Sequence, residues 1–238
     1  MTNIMVIAGK EIRSQLGSPI AYVVCGVFLA LSGTFFVAYL AATNYADTSI
    51  GGFLEAAQYL IPLFSAFLTM RVIAEEKKLG TWELLLTAPT RDAEIVIGKF
   101  LGSLAILMLM LGLTVLYPLL LYLLGDPDLG PIATSYLGLL LLGCGSLAVG
   151  IFASSVSTSQ VAVAAVATGT LSALALLGVV QNFAAGGLAT AMASLSLLHH
   201  FQDFSRGIID TRAVIYFASL TGLFLYLAIE SVAAGRWR

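Results

Sequence analysis

The stretch between Asp128 and Asp203 contains no Asp, Glu, Lys or Arg, and neither does the segment from Ile20 to Ala42. Soluble domains carry about a quarter charged residues, so uncharged runs of this length exclude a fold that is surrounded by water. The whole chain is 59% hydrophobic and only 10% charged, with a net charge of −2. This composition predicts an integral membrane protein and argues against a nucleic-acid partner.

Six segments are long and apolar enough to cross a bilayer, because about twenty helical residues span the hydrocarbon core. We predict one all-α transmembrane domain over residues 1–238, with spans at residues 20–42, 54–73, 95–124, 132–152, 160–180 and 213–233. The third span begins at Ile95 or Lys99, and Pro62 is expected to kink the second.

Residues 3–17 predict an interfacial helix, because Lys10 and Arg13 lie opposite an apolar helical face. The members of that face are Ile4, Met5, Ala8, Ile12 and Leu16. A signal peptide is the competing interpretation. The apolar run that follows is longer than the 7–15 residues typical of a signal peptide, so we retain it as a span.

The distribution of Lys and Arg predicts the orientation in the membrane. With the N-terminus inside, nine of the eleven basic residues fall on the cytoplasmic side and only Arg206 and Arg212 fall outside. The inner set comprises Lys10, Arg13, Arg71, Lys77, Lys78, Arg91, Lys99, Arg236 and Arg238. Both termini are therefore expected to be cytoplasmic.

A charged island, residues 71–91, separates the second and third spans. Glu75–Leu79 is expected to end the helix that enters from the second span, with Gly80 at the positive-φ position just beyond it. Thr81 is expected to cap a new short helix with Glu83 in its first turn, and Pro89 ends that helix. Because the spans on either side are apolar, this island must contact water or another protein.

The short helix predicted in the island is amphipathic, since Leu79, Trp82 and Leu86 recur at three-to-four spacing. One interpretation is a solvated connecting loop. The other is a rigid cytoplasmic helix that docks a partner protein.

A long, weakly apolar connection, residues 181–212, precedes the last span. The pair Gly186-Gly187 argues against a continuous crossing, so we predict one or two short re-entrant helices in the outer leaflet, followed by a hinge at His199–Arg212. His199 and Asp203 lie one helical turn apart, but no third metal ligand is evident, so we expect no metal here.

The sequence lacks the motifs that several kinds of binding site require. Gly9-Lys10 and Gly98-Lys99 are followed by Glu11 and Phe100, so there is no phosphate-binding loop, and we expect no cofactor in this chain. Cys25 and Cys144 lie in apolar runs, which disfavours a disulfide or thiolate site.

Small residues recur at helix-packing spacing. We interpret them mainly as contacts within the bundle, and the alternative is that they line a permeation path or a dimer seam. These residues are Gly98 and Gly102, then Ser146, Gly150 and Ser154, and finally Ala164 and Thr168.

Residues 75–89, EEKKLGTWELLLTAP, resemble the loop after the second span in ABC-2 type transporter permeases, whose pattern is E-E-K-x-x-G-T-x-E-L-L-L-T-x-P. The stretch 200–212, HFQDFSRGIIDTR, is similar to the segment before the last span in the gliding-motility-associated branch, the GldF-like permeases. The opening KEIRSQLGSP, residues 10–19, also resembles that branch, so the similarity extends over the whole chain.

The resemblance implies a permease subunit of an ATP-driven exporter in the bacterial inner membrane. It pairs with a second permease copy, as a homodimer or with a related permease, and separate ATPase subunits that bind ATP and Mg²⁺ drive it from the cytoplasm. An accessory subunit with a periplasmic domain is expected in the gliding-motility branch. By this resemblance the ATPase contact comprises Glu75, Glu76, Leu79, Gly80, Thr81, Trp82, Glu83 and Leu86.

A second hypothesis keeps the ATPase but not the cargo. In it the bundle is an anchor or mechanical transmitter that acts on a periplasmic protein. An intramembrane enzyme is a third and weaker alternative, because the sequence offers no nucleophile–base or carboxylate pair at membrane depth.

Overall fold

The computed structural model of the protein describes residues 2–43, 50–82, 90–125, 127–180 and 186–235. In these ranges all the regular structure is helical, and six helical segments are long and apolar enough to cross a membrane. The predicted all-α fold with six spans is confirmed.

The helices follow one another with short connections. They are α1 (Thr2–Leu16), α2 (Pro19–Ala42), α3 (Gly51–Thr69), α4 (Ala74–Lys78), α5 (Asp92–Thr114), α6 (Leu116–Leu124), α7 (Leu129–Val156), α8 (Gln160–Val180), α9 (Gly187–Leu195), α10 (Leu197–Ser205) and α11 (Thr211–Gly235).

The second span begins earlier than predicted and is interrupted by a turn. Helix α3 begins at Gly51, so Glu55 belongs to the helix and not to the preceding loop, and the helix continues through Pro62 to Thr69. The Thr69 hydroxyl donates to the carbonyl of Ser65 at 2.7 Å, a local bond that competes with helix continuation. A turn at residues 70–73 then separates α3 from α4, which corrects the prediction that the helix of the second span continues through Glu75–Leu79.

The third span consists of two helices, α5 and α6, and it starts at Asp92 instead of Ile95 or Lys99. The carboxylate of Glu94 accepts a hydrogen bond from the main-chain nitrogen of Arg91 at 3.1 Å, which stabilises the helix start. The break falls at Val115. Pro118 explains it, because proline has no N–H to donate to the carbonyl of Thr114 four residues earlier.

The remaining spans lie close to their predicted positions. Helix α8 has the predicted bounds, while α7 and α11 extend beyond residues 132–152 and 213–233 at both ends. The side chain of Asp128 starts α7 by accepting a hydrogen bond from Gly130 at 3.0 Å.

The connection before the last span contains two short helices, α9 and α10, as predicted. Each has nine residues, which is too short to cross a bilayer. Helix α10 continues past His200 to Ser205 and α11 begins at Thr211, so only residues 206–210 of the predicted hinge His199–Arg212 are non-helical. Residues 181–185 lie outside the described ranges.

Helices α3 and α7 form the centre of the bundle, and α7 contacts α3, α5, α8, α10 and α11. Glycines on α7 allow this. A Cβ at Gly150 would lie 1.9 Å from the Thr69 hydroxyl oxygen of α3, and one at Gly143 would lie 2.2 Å from Leu107 of α5. The predicted small-residue series at Ser146, Gly150 and Ser154 therefore serves packing within the bundle.

Helix α1 lies along α5, and the two helices run in the same direction. A stripe on α1 carries the contact: Asn3 donates to Glu94 at 3.3 Å, and Gln15 donates to Ser103 at 3.2 Å. A Cβ at Gly98 or Gly102 of α5 would lie within 3 Å of Ile7 or Glu11, so this pair also serves packing.

The predicted apolar face of α1 is divided between two environments. Ala8 is buried against α5, whereas Met5 and the neighbouring Val6 are exposed, as expected for a helix whose other side meets a membrane surface.

Candidate functional site

The first part of the charged island forms α4, whose start is capped by another helix. The main-chain nitrogens of Ile73 and Ala74 both donate to the hydroxyl of Ser154 on α7, each at 3.1 Å. Acidic residues occupy the first turn of α4 and basic residues the last, an order that complements the helix dipole. The island is thus fixed to the centre of the bundle at the start of α4.

Gly80 ends this part of the island with φ at 72°, the positive value predicted from its place after a helix end. Thr81 and Trp82 are already helical, so Thr81 is inside the next helix and does not occupy the cap position. Its hydroxyl instead donates to the carbonyl of Glu76 at 3.3 Å. This bond connects Thr81 to α4 across the turn at Gly80.

Lys99 of α5 is the most buried charged residue in the described part of the chain, with 2% of its surface exposed. Its ammonium donates to the carbonyl of Val72 at 2.6 Å and to the carboxylate of Glu11 at 3.2 Å. A second carboxylate, that of Glu76, lies 2.9 Å away. The angles of this last contact fall outside hydrogen-bond geometry, so it is an ion pair only.

We name Lys10, Glu11, Glu76 and Lys99 the ion-pair cluster. The other oxygen of Glu76 pairs with Lys10 at 3.1 Å, so the cluster contains two cations and two anions. Burial of a charge is costly unless the charge is paired. Because the four residues come from α1, α4 and α5, their pairing holds these helices in one arrangement.

Lys77 and Trp82 form a second attachment. The ammonium of Lys77 donates to the carbonyl of Ser155 on α7 and lies 5.7 Å from the centre of the Trp82 ring. Trp82 is only 7% exposed and belongs to the main hydrophobic core. The indole therefore packs onto helices of the same chain.

The structure divides the predicted contact residues into two groups. Leu79, Gly80 and Thr81 are exposed, and Leu79 is 68% exposed. Glu75 is half-buried, Glu76 belongs to the ion-pair cluster, and Trp82 is buried. The prediction that Leu79 and Trp82 share one face is wrong, because the turn at Gly80 separates them. Glu83 and Leu86 lie outside the described residues.

The sequence did not show that Glu11, Ser154 and Ser155 hold the charged island in place. It placed Ser154 among the packing residues and Lys99 among the inner basic residues. One signal was present for Glu11. It lies on the same stripe of α1 as Ile7 and Gln15, at four-residue spacing, which is the stripe that α5 covers.

The side chain of His200 is held by contacts with its neighbours in the bundle. The ring of His200 stacks on Tyr216 of α11 with centres 4.1 Å apart, and its Nδ1 lies 2.9 Å from the carbonyl of Ser196. No three His, Cys, Asp or Glu side chains come together as a metal site in the ranges that the structure covers.

A family model described as "ABC-2 family transporter protein" matches residues 5–229, which is nearly the whole chain. The chain belongs to the ABC-2 transporter family. A search of curated individual proteins found no match. As an ABC-2 protein it is a multi-pass membrane component of a transporter and not itself the catalyst, and the family implies an ATP-binding-cassette ATPase as its partner.

Proposed function

We propose that this ABC-2 protein is the permease subunit of an exporter, that it pairs with a second permease copy, and that ATPase subunits dock on residues 75–89. The observation that carries the proposal is the rigid attachment of α4. A loop that only connects two spans needs no buried charges. Here the loop is joined to α1 and α5 through Lys99 and to α7 through Ser154 and Ser155.

This attachment supports a transmission role. A force on α4 acts on Glu76, and through the buried ammonium of Lys99 it acts on Val72, Glu11 and the first turns of α5. Packed elements joined by short polar contacts move together and do not deform independently. ATPase motion at residues 75–89 would therefore move α1, α5 and α7 as one unit.

The exposed tip of the island is the surface available for docking. Lys78, Leu79, Gly80 and Thr81 are exposed, and Leu79 supplies an apolar side chain of which 68% is accessible. Apolar anchors that enter a pocket carry most of the energy in protein interfaces. We assign Leu79 as the anchor of the ATPase contact.

We expect Leu79→Asp to abolish co-purification of the permease with its ATPase. A buried, unpaired carboxylate at an interface costs several kcal/mol, on the order of a hundredfold or more in affinity. The variant permease should melt at the same temperature as the wild type, because Leu79 touches little of its own protein. The measurement is pull-down of the co-expressed ATPase, together with ATP turnover of the complex.

Val156→Asp is the matched control. Val156 is exposed to a similar degree at the end of α7, next to the Ser155 carbonyl that Lys77 contacts, but outside residues 75–89. It should retain the ATPase. If both variants retain full ATPase binding and turnover, the docking assignment to the island is wrong.

The orientation is part of the proposal, with both termini and the ion-pair cluster in the cytoplasm. In a background with Cys25→Ala and Cys144→Ala, a membrane-impermeant maleimide should label Lys78→Cys only from the cytoplasmic side. It should label Leu129→Cys from the outside, since Leu129 is exposed at the start of α7 and the other end of α7 contacts α4. Labelling of Leu129→Cys from the cytoplasm alone would contradict this topology.

The gliding-motility branch remains part of the same proposal. It is supported by the resemblance of residues 200–212, which form the second half of α10, the non-helical residues 206–210 and the start of α11. An accessory subunit with a periplasmic domain would bind the outer end of the bundle, where this segment lies. Affinity purification of the tagged permease from its native membrane, with identification of the bound proteins, tests this partner.

A further inference from the structure

Two cavities open at the end of the bundle opposite to the ion-pair cluster. The first, the outer chamber, has a volume of about 460 Å³ and lies between the starts of α3 and α7 and helix α10. The second, the aromatic groove, has about 650 Å³ and lies between α2 and α3. Glu55 and Gln58 of α3 line both, so these two side chains form the boundary between the cavities.

The side chain of Glu55 is exposed and takes part in no ion pair in the described part of the chain. The acidic members of the ion pairs found there are Glu11 and Glu76. The side chain of Gln58 donates a hydrogen bond to the main-chain carbonyl of Glu55 at 3.3 Å, not to its carboxylate. Glu55 is the fifth residue of α3, so it lies about 6 Å along the helix from Gly51. Its carboxylate is therefore accessible to a charged group that enters either cavity.

Aromatic and apolar side chains line the aromatic groove together with Glu55. Phe35 and Tyr39 of α2 and Tyr59 of α3 line it, with Ala56 and Leu60 behind. Helix α2 can come this close because Gly52 lacks a side chain, since a Cβ there would lie 2.1 Å from the Cβ of Tyr39. Aromatic faces beside a carboxylate are the surroundings that organic ammonium groups prefer.

We propose that the aromatic groove binds an amphiphile with an ammonium headgroup, which pairs with Glu55 while its apolar tail lies against Phe35, Ala56 and Leu60. Charge complementarity selects this occupant. An anionic headgroup would meet Glu55 without compensation, and a neutral one would leave the carboxylate unpaired. A peptide strand or metal ion would not use the aromatic faces.

The outer chamber extends the same site towards the surface. It adds Arg206, Asp128 and Gln202, so a headgroup that enters it from the groove meets one cation as well as two carboxylates. A purely cationic headgroup uses Glu55, whereas a zwitterionic phospholipid headgroup places its phosphate near Arg206. Both share the ammonium group and the apolar tail.

This inference deepens the proposed function by naming the class of transported molecule, and it rests on that function only for the direction of movement. Binding to the permease alone requires no ATPase. Failure of the binding test would therefore leave the docking of the ATPase at Leu79 untouched, and loss of docking would leave the groove intact.

The test uses the purified full-length permease in a non-ionic maltoside detergent and native mass spectrometry. Four probes with matched tails are compared: decyltrimethylammonium against decyl sulfate, and dioctanoyl phosphatidylethanolamine against dioctanoyl phosphatidylglycerol. We expect the ammonium member of at least one pair to bind about tenfold more tightly than its anionic counterpart. Glu55→Gln, which keeps the shape of the side chain, should remove that preference.

Glu230→Gln is the matched control, because Glu230 is an exposed glutamate on α11 that lines neither cavity, and it should leave binding unchanged. Phe35→Leu should weaken binding of the ammonium probe and leave binding of the anionic probe unchanged. Preference for phosphatidylethanolamine alone assigns the site to a lipid, and preference for decyltrimethylammonium alone assigns it to a free cationic amphiphile. Equal binding of ammonium and anionic probes, or an unchanged preference in Glu55→Gln, overturns the proposal.

Discussion

Replacing Lys99 by methionine is expected to destabilise the permease by about 3–5 kcal/mol, the cost typical of breaking a buried ion pair on one side. Methionine fills the space of the lysine stem but leaves the carboxylates of Glu11 and Glu76 without the buried cation. It also removes the hydrogen bond to Val72 that holds the turn before α4. The measurement is the melting temperature of the purified permease, together with exposure of α1 to protease.

Lys10→Met is the matched control, since Lys10 pairs with the same Glu76 but is 64% exposed. Exposed pairs contribute about 0–1 kcal/mol, so this variant should melt close to the wild type. Adding Glu11→Gln and Glu76→Gln to Lys99→Met should restore part of the loss, because it removes the uncompensated charges. Equal melting of Lys99→Met and Lys10→Met would show that the burial of Lys99 contributes nothing.

Trp82→Ala is expected to destabilise the permease itself by about 3–5 kcal/mol, the range for truncating a buried aromatic residue. The indole is part of the main core, and the Lys77 ammonium loses the ring beside it. This variant should therefore lose melting temperature in the absence of any ATPase, unlike Leu79→Asp. The measurement is the melting temperature of the permease expressed alone.

Trp82→Phe separates packing from partner recognition. Phenylalanine keeps an aromatic ring in the core, so it should recover most of the stability and retain ATPase docking. A Trp82→Ala permease that melts like the wild type but fails to bind the ATPase would contradict the structure. It would restore the hypothesis that Trp82 contacts the partner directly.

The spans were predictable because their signal is carried by single segments. Transfer from water to lipid depends on the composition of about twenty successive residues, so Gln160–Val180 could be bounded without any knowledge of its neighbours. Gly80 was predictable for a related reason. The positive φ after a helix end is a local demand that glycine meets.

Only one of the two breaks within spans could be predicted from the sequence. Pro118 accounts for the end of α5 by a rule that acts over four residues, although the sequence analysis did not apply it. The end of α3 at Thr69 was not accessible in this way. The main-chain groups of Ile73 and Ala74 leave the helix because Ser154 of α7 accepts their hydrogen bonds, and only the packing of α7 against α3 brings that hydroxyl into reach.

The sequence by itself determined an all-α membrane bundle, its six spans and the location of the charged island between the second and third. Only the tertiary structure decided which charges are buried and which way Trp82 faces. Periodicity on one helix shows which residues share a face, but not what covers that face. Glu11 and Lys99 are 88 positions apart, and their pairing exists because the glycines of α5 let α1 lie against it. That approach turned a lysine expected at the inner membrane boundary into the buried cation that joins α1, α4 and α5.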